Sequence, residues 1–231
     1  MAMSSASIRL LVAGVLVAIA GLCYSSWVLE FAWPDRLDPL NSFLSELDAA
    51  QRPHREVYVV GDVVTGVCTM IAAAVLLLPR RIVLGRLATT AVLAVGVFGA
   101  ATVADALLPI ECIPGIDAGC PYEPSGLLPQ LHHVHALTST IAVFAIFATM
   151  IAATLASLRS GRWPLLRVVG AVVFAVVALT TVWMMIADNL SGDYRLGLAQ
   201  RIQVGGMTTW LVLWGWSVGR TDRVRPDDPT R

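Results

Sequence analysis

Three histidines, His132, His133 and His135, open an apolar run that follows Asp105 across a cysteine-bearing loop. On a helix, positions 132, 135 and 139 share one face, so His132, His135 and Ser139 align while His133 points elsewhere. With carboxylates from Asp105 and Asp62, His132 and His135 would make a two-His, one- or two-carboxylate set suited to zinc with an open position for water. Such a water, acidified by the metal, would attack an ester or amide of a lipid. A second chemistry needs no metal: Asp62, Asp105 and His135 form a proton relay for coupled transport, and six helices would then require a homodimer to complete a path. A third reading is structural, with Arg201 neutralising Asp188 or Asp105 while the histidines cap their helix. The candidate cluster is therefore Asp62, Asp105, His132, His135, Asp188 and Arg201, and zinc is the one cofactor it brings into question.

The elements that must carry these residues are membrane spans. The chain has 231 residues, 57% of them hydrophobic and 14% charged, with a mean hydropathy of +0.73. A soluble domain usually approaches a quarter charged residues, so the solvent for most of this surface is lipid. Zero net charge at pH 7 excludes a basic nucleic-acid-binding surface. A spanning helix needs about twenty apolar residues, which predicts helices over about 9–29, 57–79, 87–109, 131–158, 165–187 and 202–219. The fold class is all-α, a six-helix transmembrane bundle over 1–219, with a disordered cytoplasmic tail over 220–231.

All sixteen basic residues are arginine. Eleven fall at the N-terminus, in the connections between helices two and three and between helices four and five, and in the tail. Positively charged segments stay cytoplasmic, so both termini are expected inside. The other connections hold most of the acids, among them Glu30, Asp38, Glu46, Asp48, Glu111 and Asp117. This places Asp62, Asp105, His132, His135, Asp188 and Arg201 at one depth near the outer surface. Cys112 and Cys120 share an outer loop with Pro114, Gly115, Gly119 and Pro121, where an oxidising compartment favours a disulfide. Cys23 and Cys68 sit in apolar runs as buried thiols.

Several smaller patterns carry expectations. Asp62, Thr65, Gly66 and Thr69 recur at helical spacing and define an inward face. Gly96, Ala100 and Ala104 form a small-residue ridge for close helix approach, and Gly215 with Gly219 forms another. Trp210, Trp214 and Trp216 read as interfacial belt anchors. Asn41–Leu47 reads as an amphipathic turn at the membrane interface, capped by Ser42 and Ser45, with Phe43, Leu44 and Leu47 in the headgroup layer.

Taken together, Asn41–Leu47, Asp105 with Pro109, the Cys112/Cys120 loop, His135-Ala136, and Gly197-Leu198-Ala199-Gln200-Arg201 before a Trp-bearing last helix resemble an uncharacterised bacterial membrane-protein family, domain of unknown function 998. Members often carry an acid where this chain has Gln200. The resemblance covers nearly the whole chain and implies a six-helix fold in a bacterial cytoplasmic (inner) membrane, with no activity attached. The expected role is to bind or handle a lipid or small molecule through the polar cluster at the outer leaflet. The alternatives are the zinc-dependent intramembrane hydrolase and the proton-coupled homodimeric transporter. The partners expected are membrane lipids and a second copy of the chain, with no nucleic acid.

Overall fold

The apolar runs become helices of bilayer length. In a computed structural model that describes residues 4–33, 36–78, 85–121, 133–161 and 163–220, the regular structure is helical throughout. Among the described residues the α-helices are α1 (Ser5–Cys23), α2 (Arg55–Leu77), α3 (Arg86–Leu107), α4 (Val134–Ser160), α5 (Ala171–Ala187) and α6 (Leu196–Gly219). A 3-10 turn over Ser26–Phe31 extends α1, and a π turn over Leu166–Gly170 leads into α5. Five segments, Ser5–Phe31, Arg55–Leu77, Arg86–Leu107, Val134–Ser160 and Leu166–Ala187, are long and apolar enough to cross a membrane.

The sixth helix is long enough but more polar. It starts at Leu196, about a turn and a half ahead of the apolar run at 202, so Arg201 lies inside the helix and not before it. Its Arg201, Gln203, Thr208 and Ser217 are all buried, which explains why its composition departs from that of a lipid-facing span. Packing runs in the order α5, α6, α1, α2, α3, α4, and α4 meets α5 mainly through the π turn. Helix α6 is thereby held between α1 and α5. This overturns the belt reading of two tryptophans: Trp210 and Trp214 are core residues, while Trp216 stays exposed with Arg220 3.6 Å above its ring.

Close helix approach depends on glycine at two crossings. A β-carbon at Gly99 would sit 2.5 Å from the Gly66 carbonyl oxygen, and one at Gly14 would sit 2.5 Å from the Gly215 carbonyl oxygen. The ridge on α3 is therefore carried by Gly96 and Gly99, and Ala100 is exposed instead of lying in the contact. Gly215 and Gly219 pack against α1. The inward face of α2 forms as its spacing predicts. Thr65 and Thr69 are fully buried and donate to carbonyls of their own helix, and Thr65 also donates to Ala20 of α1 at 3.0 Å. Those bonds remove the cost of a hydroxyl in an apolar interior.

At the end of the bundle where α1 finishes and α2 begins, two connections fold over the helix ends. The α1–α2 connection contributes Leu37, Leu47 and Ala49, the α3–α4 connection Ile113, and α2 Tyr58, to a small apolar core separate from that of the helices. The Cys112–Cys120 disulfide closes the second connection, with its Cα atoms 5.8 Å apart. Arg52 pairs with Asp117, both nearly buried, and the Ala50 amide donates to the Ile110 carbonyl at 2.8 Å. Leu47 thus points into this cap and not into a headgroup layer. Ser42 is buried and accepts from the Asp38 amide at 3.2 Å, and the turn at Leu44–Glu46 is 3-10 with no side-chain cap. Residues 221–231, on which the disordered tail was expected, lie outside the described residues.

Candidate functional site

The cap is fastened to the bundle by Arg201. Its guanidinium donates to both carboxylate oxygens of Glu30, from Nε at 2.7 Å and from Nη2 at 2.6 Å, while Nη1 donates to the carbonyls of Ser42 at 2.8 Å and Gly197 at 3.0 Å. The two side chains are 5% and 4% exposed. A bidentate pair with the remaining donor directed to carbonyls is the geometry in which a buried guanidinium is tolerated. The expected pairing of Arg201 with Asp188 or Asp105 does not occur: Glu30 takes the guanidinium, and Asp188 sits at the C-terminal cap of α5.

Three further contacts surround that pair. The Leu44 amide donates to Gln200 Oε1 at 2.5 Å, and the Leu198 amide donates to the Leu40 carbonyl at 3.0 Å. A β-carbon at Gly197 would sit 2.9 Å from backbone atoms of Asn41, so only glycine lets the connection lie this close to the first turn of α6. The Asn41–Leu47 segment and the Gly197–Arg201 segment are therefore two halves of one clasp. An acid at position 200 would accept from Leu44 as Gln200 does, so the amide in its place keeps the contact.

Beneath the clasp lies a cavity of about 110 Å³, room for roughly four waters at about 30 Å³ each. Tyr24, Trp27, Asp48, Tyr58, Asp62, Asp105, Ser139, Gln200 and Gln203 are among the residues lining it. Asp105 is held by α4: Ser139 donates to its two oxygens at 2.8 and 3.0 Å and Thr138 donates at 2.5 Å. His135 Nδ1 lies 3.0 Å from the Leu108 carbonyl oxygen and 3.4 Å from Asp105. A carbonyl only accepts, so Nδ1 donates to it, while Nε2 is buried with no hydrogen-bond partner.

Asp62 and Asp48 are treated differently. Among the described residues no hydrogen-bond or ion-pair partner reaches Asp62 on α2. Asp48, from the cap, is 6% exposed, and its Oδ1 is buried without a partner. Burial pushes the Asp48 carboxyl up to about 6, Asp105 adds to the rise, and His135 and Arg55 oppose it. Three acids thus face one small volume, and the two buried arginines of this region are committed elsewhere, Arg201 to Glu30 and Arg52 to Asp117.

Of the residues expected to form the site, Asp62 and Asp105 line the cavity and His135 touches Asp105. Arg201 braces the cap from outside the lining, Asp188 is not part of the lining, and His132 lies outside the described residues. Among the described residues no group of three His, Cys, Asp or Glu side chains is close enough to hold a metal ion. Sequence reading missed Glu30, Asp48 and Thr138 as site residues. Glu30 carried a signal, since it is the only charged residue between Arg9 and Asp35.

A helical bundle with several apolar helices of membrane-spanning length, capped at one end over an acid-lined cavity, has the make-up of a multi-pass membrane protein. Residues 17–217 match the family described as a protein of unknown function (DUF998), and the chain belongs to that family. No curated protein and no solved structure matches it.

Two predictions follow from the charges. Arg201→Met leaves Glu30 buried and unpaired, so it should cost about 3–5 kcal/mol, whereas Arg201→Met with Glu30→Leu should recover most of that loss. Thermal unfolding of the purified variants in detergent checks the order. For Asp48 the folded value lies above the ordinary carboxylate value, so the folded state binds the extra proton and stability falls as pH rises from about 4 through 6. Asp48→Asn should therefore unfold at a higher temperature than wild type at pH 7.5, by on the order of 2–3 kcal/mol, and match it near pH 4. Equal melting at pH 7.5 would remove the burial argument.

Proposed function

We propose that this chain is a six-span integral membrane protein of a bacterial cytoplasmic membrane, with both termini in the cytoplasm, that binds or handles a small molecule or lipid headgroup in the capped cavity at the outer leaflet. The observation that carries this reading is the cavity itself. Acids without partners are seldom retained in a membrane protein interior unless something occupies or passes the space between them. Its size fits a headgroup or a small solute and excludes a whole lipid.

The sixth span rests on α6, whose 24 residues rise about 36 Å at 1.5 Å each, enough for the hydrocarbon layer. The orientation rests on the arginine distribution, and it puts the disulfide-closed cap on the oxidising side. Proton-coupled transport is the second reading, favoured by one specific observation: Asp48, Asp62 and Asp105, from a connection and two helices, face the same volume. Zinc-dependent hydrolysis would need His132 to join His135, whose Nδ1 is taken by the Leu108 carbonyl, leaving Nε2 as its ligand atom.

Native mass spectrometry of protein purified in mild detergent tests the binding role. Wild type should retain a molecule that the Asp62→Asn/Asp105→Asn variant loses while staying folded. Identical spectra from the two proteins would sink the cavity as a binding site. Orientation is checked by an Arg220→Cys substitution, which should react with a membrane-impermeant maleimide only after lysis; labelling of intact cells would reverse the topology.

A further inference from the structure

Building on that cavity-binding role, we infer that the ligand group the cavity receives is a primary ammonium, carried by a free amine or by the headgroup of an amine-bearing lipid. Four observations lead there. The lining holds three acids from three different segments, Asp48 from the cap, Asp62 from α2 and Asp105 from α3. No arginine lines it, the guanidinium of Arg201 being bound to Glu30 and that of Arg52 to Asp117. Asp48 is more than nine-tenths buried with an oxygen that accepts from nothing, and Asp62 has no partner among the described residues. Finally, the walls between the acids are aromatic, from Tyr24, Trp27 and Tyr58.

The chemistry narrows the cation. Unpaired carboxylates in a largely buried site call for charge together with hydrogen-bond donors. A primary ammonium has three rotatable N–H donors, one for each acid, and its carbon stem can lie against aromatic faces, where the adjacent cation is attracted by the ring quadrupole. A quaternary ammonium supplies the charge but no donor, so Asp48 Oδ1 and Asp62 would stay unsatisfied. A bare divalent ion needs its oxygen ligands to converge within about 2.0–2.6 Å. Among the described residues no three acidic, histidine or cysteine side chains converge in that way. The volume of about 110 Å³ suits a group of the size of ethanolamine. Asp105 enters this scheme already held by Thr138 and Ser139, which leaves Asp48 and Asp62 as the acids with free acceptors.

The test uses the full chain in lipid nanodiscs, with ethanolamine as the free probe and ethylene glycol and tetramethylammonium as the neutral and quaternary controls, read by isothermal titration calorimetry. Saturable binding of ethanolamine, at least tenfold tighter than either control, is expected. Asp62→Asn and Asp48→Asn should each weaken it at least tenfold. Both variants should melt no lower than wild type without ligand, since one removes a buried acid with an unpartnered oxygen and the other a partly buried acid with no partner among the described residues, so lost binding would not be a folding defect. Binding should also weaken below about pH 6, where Asp48, facing Asp62, Asp105, His135 and Arg55, takes up a proton.

The source is separated by native mass spectrometry from nanodiscs of phosphatidylethanolamine or phosphatidylglycerol. Selective retention of the ethanolamine lipid assigns the headgroup, and free ethanolamine binding without lipid preference assigns a soluble amine; either supports the proposal. Equal binding of ethylene glycol, or ethanolamine binding unchanged in both variants, overturns it. Loss of a different co-purifying molecule in Asp62→Asn/Asp105→Asn, with no amine bound by wild type, would overturn the ammonium while leaving the binding role intact.

Discussion

The buried pair of Arg201 and Glu30 is the constraint around which the capped end of the molecule is arranged. Two desolvated charges are costly, and an isolated one on either side would be costlier still. Here the guanidinium is used almost completely, by two carboxylate oxygens and two carbonyls. The carbonyl of Ser42 is the telling partner, because it belongs to the cap and not to a helix. Through it a charge on α6 fixes where the α1–α2 connection lies. Gly197 then allows the contact, and Gln200 and Leu198 complete it.

What the pair does for position it also does for charge. The bundle has few buried cations near its capped end, and each is matched to an acid that makes structure. Asp105 is answered by hydroxyls and a histidine, which orient it without cancelling its charge. Asp48 Oδ1 is left with no hydrogen-bond donor, and Asp62 has no partner among the described residues. The electrostatic character of the cavity is therefore a remainder, produced by where the arginines have gone as much as by where the aspartates are.

The sequence discloses the helices because lipid imposes a length and a composition on them, and it discloses the inward face of α2 because Asp62, Thr65, Gly66 and Thr69 keep helical spacing. It also places Asp105 near Ser139, since both stand at matching ends of adjoining helices. Other features escape it for physical reasons. Glu30 and Arg201 are 171 residues apart, and no local spacing announces their contact. The start of α6 is hidden because an unpaired arginine marks the edge of an apolar run, and only its pairing with Glu30 admits it to the helix interior. Trp210 and Trp214 mislead because a belt residue is recognised on the assumption that its helix faces lipid, whereas α6 is enclosed by α1 and α5. Asp48 is obscured by lying in a connection, where an acid is ordinarily solvated.

The separation of Glu30 from Arg201 along the chain has a consequence for biosynthesis. At about 5–20 residues per second, on the order of ten to thirty seconds pass between synthesis of the carboxylate and synthesis of its counterion. For most of that interval α1 and α2 are already made, yet the carbonyl of Ser42 lacks the guanidinium that holds it. The clasp cannot form before α6 is made, because α6 carries Arg201, whereas the Arg52–Asp117 pair and the Ala50–Ile110 bond within the cap need only earlier segments. A nascent chain stalled before α6 would display an unmatched carboxylate and an unseated loop at the membrane surface. Synthesis of α6 is thus what completes the clasp over the cavity, and the contact that positions the cap is among the later ones available to the growing chain.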